Sequence, residues 1–289
     1  MRTALPTGTV LAVGLLMACA GGAPEPPDGP PPTNPATATP LARLAALDLD
    51  LADVAWDAAC QVELTTPEGD LVARLDEQVR ARFAGADAFD VEVTHRYDNR
   101  YQRGAVDAMR AVLADGTLAV RRQAEPFARV RNLHDEAARY RQAGLGLFPA
   151  LAAAFAGEAR REGARVVLVP VEAPATPPAE PPVRHDRAWL PAFRASLSRV
   201  AGSGELTWPE GAPHPTAGTL HVTAALGGHA LRADCTLGVA PLPTAARPVL
   251  PTPLVDLDRP RVQRDLDDFL ARLTPTGEAA APRPEKETE

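Results

Sequence analysis

Thr219-Leu-His-Val-Thr-Ala-Ala-Leu-Gly-Gly-His-Ala-Leu-Arg-Ala-Asp-Cys-Thr-Leu237 reads as two strands around a two-residue turn. Gly227-Gly228 supplies the backbone freedom that a tight hairpin turn needs. Counting outward from it, Leu226 faces His229, Ala224 faces Leu231, Val222 faces Ala233 and Leu220 faces Cys235. These pairs share one apolar face. His221 opposite Asp234 and Thr223 opposite Arg232 make the other face polar. A slip of one residue would turn every apolar side chain to water, so the register is specified. Cys235 is thereby expected to point inward.

Working outward, other segments follow other periods. Phe89, Val91, Val93 and His95 alternate with Asp90, Glu92, Thr94 and Arg96, a half-buried strand. Asp115-Gly116 makes a turn, and Leu118 and Val120 mark a short strand. Arg165 to Val171 is nearly all apolar and is expected at the centre of a sheet. Helical spacing is read at Leu47, Leu51, Val54, Ala58 and Val62, and again at Leu71, Leu75, Val79 and Phe83. Thr66 would cap that second helix, and Pro67 suits its first turn. Further helices are expected around Val106 to Leu113, two or three times within 124–162, around Trp189 to Val200 and around Arg261 to Leu273. Gly163 would end the helix carrying Phe148, Leu151, Phe155 and Ala159. The fold class expected is α/β, with α+β as the alternative: a small mixed sheet with a C-terminal β-hairpin, packed by several helices.

The N-terminus carries a different message. An apolar run from Thr9 to Met17 is too short to span a bilayer and fits the core of a signal peptide. It ends in Leu16-Met17-Ala18-Cys19, which resembles the bacterial lipobox. Residues 1–18 are then a lipoprotein signal peptide and Cys19 the lipidation site. Ala20 follows Cys19 in place of Asp, which by the same resemblance favours the periplasmic face of the outer membrane over the inner membrane. Eight Pro fall between Pro24 and Pro40, so 19–40 is a Pro-rich, extended tether. Residues 41–273 form a single globular body with a Pro-rich insertion at 173–183, and 274–289 a polar, charged tail expected to be disordered.

Composition narrows the function classes. A formal net charge of -7 argues against a nucleic-acid partner. Lys286 is the only lysine. With Cys19 lipidated, Cys60 and Cys235 are left, either as a disulfide or as two separate buried thiols. No phosphate-binding glycine loop, paired-His motif or nucleophile elbow occurs. His221 and His229 fall on opposite hairpin faces, so with His214 they are not expected to share a metal. No cofactor is implied. Eight arginines gather at Arg121, Arg122, Arg129, Arg131, Arg139, Arg141, Arg160 and Arg161, offset by Asp135, Glu136, Glu158 and Glu162. Tyr97, Asn99, Arg100 and Tyr101 sit in one loop and have the composition of a partner-binding surface.

Phe89-Asp-Val-Glu-Val-Thr-His-Arg-Tyr-Asp-Asn99-Arg100, with Ala105 to Leu113, Leu118 to Arg122 and Gly163 to Val169, resembles the penicillin-binding-protein activator and curli-secretion lipoprotein superfamily. The resemblance covers about 130 residues and implies a compact α/β domain on a lipid tether that binds a protein. The function expected is a lipid-tethered, periplasmic, non-enzymatic protein-binding domain, an accessory of the cell envelope or of a cell-wall synthase. A structural, oligomeric envelope lipoprotein and an enzyme of unrecognised class are the alternatives.

Overall fold

Val54, Trp56, Ala58, Cys60, Val62 and Leu64 are all buried, and the residues between them are more exposed. That period of two makes 54–65 a strand facing a core on one side. The same alternation organises most of the chain. A computed structural model describes residues 39–46, 49, 51–85, 87–99, 103–130, 133–170 and 197–256. All fall in the unit that begins at Pro35. Its elements are α1 (Pro40–Ala46), β1 (Val54–Thr65), β2 (Leu71–Phe83), β3 (Phe89–Asn99), β4 (Ala105–Ala114), β5 (Thr117–Arg122), β6 (Ala128–Arg129), α2 (Leu133–Ala143), α3 (Leu147–Phe155), β7 (Ala156–Glu162), β8 (Arg165–Pro170), β9 (Leu197–Thr207), β10 (Ala217–Leu226), β11 (His229–Pro241) and β12 (Val255–Asp256).

The strands form one sheet of twelve, in the order β12-β6-β5-β4-β3-β2-β1-β11-β10-β9-β8-β7. Two antiparallel meanders, β1 to β6 and β7 to β11, meet where β1 pairs with β11. Only the short β12–β6 pairing is parallel. Cys60 and Cys235 lie directly opposite each other at this seam, with α-carbons 4.1 Å apart, and are joined by a disulfide.

The inner face of the sheet holds the main core. All nine residues of α3 are buried there, and α3 packs against α1, β1, β7, β10 and β11. The Trp56 indole donates to the carbonyl of Leu145, 3.2 Å away, which ties β1 to the corner between α2 and α3. Phe148 lies so close to β10 that a Cβ on Gly218 would come within 2.6 Å of its ring. The outer face is polar except at one end. There the segment after β11 crosses over, and Leu250 and Leu254 cover Val112, Ala119 and Phe127. The crossing ends with the Val255 N–H on the Phe127 carbonyl.

The hairpin has the expected register, pair by pair, and Cys235 points inward. The expected α/β class is corrected: this is a β-rich fold, among the described residues one large sheet with three helices in place of a small mixed sheet packed by several helices. The helices read at 54–62, 71–83 and 106–113 are strands β1, β2 and β4. Ala159 belongs to β7 and not to a helix. Gly163 makes the β7–β8 turn, with φ of 64°, rather than a helix end. β8 is next to an edge strand and not central. Leu197 and Val200 are in β9. The α/β order on which the superfamily resemblance drew is therefore not the fold of this chain. The insertion at 173–183, the helix around Trp189 and the helix at 261–273 lie outside the described residues, as does Cys19.

Candidate functional site: the polar row at the sheet rim

One row on the inner face breaks the apolar pattern. Glu77 on β2 pairs in register with His95 on β3, and His95 with Asp107 on β4. Arg122 on β5, one step along, completes the row. Its Nη2 donates to Asp107 Oδ2 at 2.7 Å. His95 Nε2 donates to Glu77 Oε2 at 3.0 Å. The other Glu77 oxygen accepts the Leu147 N–H at 2.6 Å, at the start of α3. A helix start leaves its first N–H groups without intrahelical partners, so a carboxyl here satisfies a real need. The Glu77 side chain is 0% exposed and that of His95 19%. Asp107 and Arg122 reach 28% and 26%. The row thus runs from the core to an opening.

That opening lies at one end of the sheet. The β1–β2 turn, the β3–β4 turn and Gly227-Gly228 all project from this end, because Thr65 pairs with both Leu71 and Ala230, and Ala73 pairs with Asn99. Tyr97 belongs to this rim. It is on the inner face, one inward-facing position beyond His95, half-buried against the core. The loop expected at 97–101 is corrected in part: Tyr97 to Asn99 are the end of β3, while Arg100 and Tyr101 lie outside the described residues. The Asp98 carboxyl accepts the Gly104 N–H and closes the turn. Leu71 and Val106, 52% and 45% exposed, lie toward the same end.

On the outer face, Gln61, Asp76, Gln78, Thr94, Arg96 and His221 line a shallow groove of about 440 Å³ over the disulfide seam. Beside it, His221 Nδ1 donates to Asp234 at 2.9 Å and Arg232 Nε donates to the other oxygen at 2.6 Å. Burial pushes the Asp234 carboxyl up, but the hydrogen bonds from His221 and Arg232 outweigh it and hold it below its ordinary value of 3.8. A lowered folded value means stability that is full above the unfolded value and lost as pH falls through the folded one. Asp234's partners His221 and Arg232 are largely exposed, so screening holds the effect to about a few tenths of a kcal/mol. Acid unfolding curves of wild type and Asp234→Asn are expected to be separated above the ordinary value of 3.8 and to converge as pH falls through the lower folded value. Curves that keep one spacing throughout would remove this role.

The other candidates disperse. Arg121 stacks on Phe127, Arg141 on Phe83, and Arg139 pairs with Glu136. Arg160 and Arg161 stand on β7, across the sheet. His221 faces outward on β10, and His229 bonds to its own turn at Gly227. Among the described residues no group of three or more His, Cys, Asp or Glu is placed to hold a metal ion, and no helix is long and apolar enough to cross a membrane. Sequence reading passed over Glu77, Asp107 and the pairing of Arg122. The available signal was a single Glu in the apolar alternation Leu75, Glu77, Val79, continued by His95 after Val93. No family model matches this chain, and no curated protein matches it.

Proposed function

We propose that this chain is a lipid-tethered, non-enzymatic binding module of the bacterial envelope, held through Cys19 at the periplasmic face of the outer membrane, with the rim around Tyr97 as its partner-binding end. One observation carries the reading. A mostly apolar inner sheet face carries four polar side chains in a row across β2 to β5, and their exposure rises toward the rim. Buried charge is costly and rarely adds stability over apolar packing. Asp107 and Arg122, about a quarter exposed, offer charge-assisted hydrogen bonds to a partner. Tyr97 offers apolar area with a polar tip. The Pro-rich 19–40 segment, at about 3.1 Å per residue, gives reach away from the membrane.

Capture of envelope proteins by the mature chain tests this. Tyr97→Ala and Asp107→Ala are each expected to weaken recovery of one specific partner about tenfold or more, at hot-spot cost. Thr219→Ala, on the outer face, is expected to leave recovery unchanged. Equal recovery by all three chains would remove the rim from the proposal.

A further inference from the structure

We infer that β7 is a self-pairing edge, through which two copies of this chain join their sheets across a two-fold axis at Ala159. Among the described residues β7 ends the strand order and pairs with β8 on one side only. Glu162 and Arg165 close a two-residue hairpin around Gly163-Ala164. In such a hairpin the closing pair exchanges backbone hydrogen bonds. The N–H and C=O groups of Glu162 and Arg160 are therefore turned toward β8. Those of Arg161 and Ala159 point to the open edge, while a register shift between Ala156 and Glu158 takes Gly157 out of the alternation.

An antiparallel second copy centred on Ala159 meets these groups with its own. Ala159 would exchange bonds with its counterpart, and the pairing would run out on either side where Arg161 meets the irregularity at Gly157 of the other copy. The side chains decide among registers. Centred on Ala159, Glu158 stands opposite the other copy's Arg160, twice. Shifted by one to Arg160, the pairing sets Arg160 against Arg160 and Glu158 against Glu162. Shifted to Glu158, it sets Glu158 against itself. Shifted to Arg161, it opposes two Arg161 side chains and overlaps less of the strand. Like charges directly opposite are destabilising and opposite charges favourable. Small residues occupy Gly157 and Ala159, so nothing bulky stands at the contact. Glu158, Arg160 and Glu162 are exposed. Charges on an edge strand ordinarily deter pairing with foreign strands. Centred on Arg161, the pairing also sets Arg160 opposite Glu162 twice, but of these four registers only the one centred on Ala159 opposes no like charges.

Disulfide trapping in the full, membrane-held chain tests the register. Ala159→Cys places the introduced thiols at the two-fold axis. It is expected to give a crosslinked species of twice the chain mass on non-reducing gels. Adding Glu158→Arg or Arg160→Glu alone is expected to lower the crosslinked fraction about tenfold, since two attractive pairs become repulsive. Both changes together restore complementarity, and the crosslink should return. No crosslink from Ala159→Cys, equal crosslinking from Thr219→Cys on the outer face, or no recovery in the doubly swapped chain would each overturn the inference.

Discussion

Glu77→Ala is expected to lower the unfolding free energy by about 3–5 kcal/mol, the cost of breaking a buried hydrogen-bonded pair from one side. The change strips the Leu147 N–H of its acceptor and leaves His95 Nε2 facing a void. It also opens a cavity beside Val79 at the start of the fully buried α3. Glu77→Gln keeps an acceptor for Leu147, and its amide N–H can donate to His95 Nε2 once the imidazole takes the other tautomer. Its loss should be nearer 1–2 kcal/mol, the cost of one weakened hydrogen bond. Urea titration with the disulfide intact separates the two, and the slope m should stay constant because the surface exposed on unfolding is unchanged. A loss below about 1 kcal/mol for the alanine variant would mean that α3 does not depend on this carboxyl.

The second large effect concerns the seam. Cys60 and Cys235 close a loop with a sequence separation of 175. Chain entropy for a loop that long gives about 5 kcal/mol of stabilisation. Cys60→Ala with Cys235→Ala should lose most of it. The slope m should rise, because the uncrosslinked unfolded chain exposes more surface. That rise distinguishes the seam from Glu77, whose loss acts in the folded state. An unchanged m with a loss under about 1 kcal/mol would show that the β1–β11 pairing alone holds the two meanders together.

The hairpin at 219–237 was legible because its turn and both faces demand one register. β1 and β2 were not, and the reason is arithmetic. Leu71, Leu75, Val79 and Phe83 recur every four residues, a spacing that fits a helix turn and is also a multiple of two. The residues that settle the matter, Ala73, Glu77 and Ala81, are all buried. Ala and Glu favour helices, so propensity pulled the reading the wrong way. β4 hid for another reason. Val112 faces outward yet is 0% exposed, because Leu250 and Leu254 cross over that end of the outer face. A strand buried on both faces loses its alternation. The rim was half legible. Tyr97 stood out by its chemistry. Glu77 and Asp107 were lost with the strands that carry them, since only strand register brings them beside His95.

A photoreactive side chain placed in turn at Tyr97, Val106, Ala55 and Thr219 of the full chain, in intact cells, maps the proposed binding end directly. Tyr97, on the inner face, and Val106, on the outer face, both lie at the rim end, while Ala55 and Thr219 face outward at the other end of the sheet. The expected result is one discrete adduct from the two rim positions, absent from the other two and lost on Asp107→Ala. Adducts formed equally from all four positions, or a rim adduct that survives Asp107→Ala, would contradict a partner-binding rim built on the polar row.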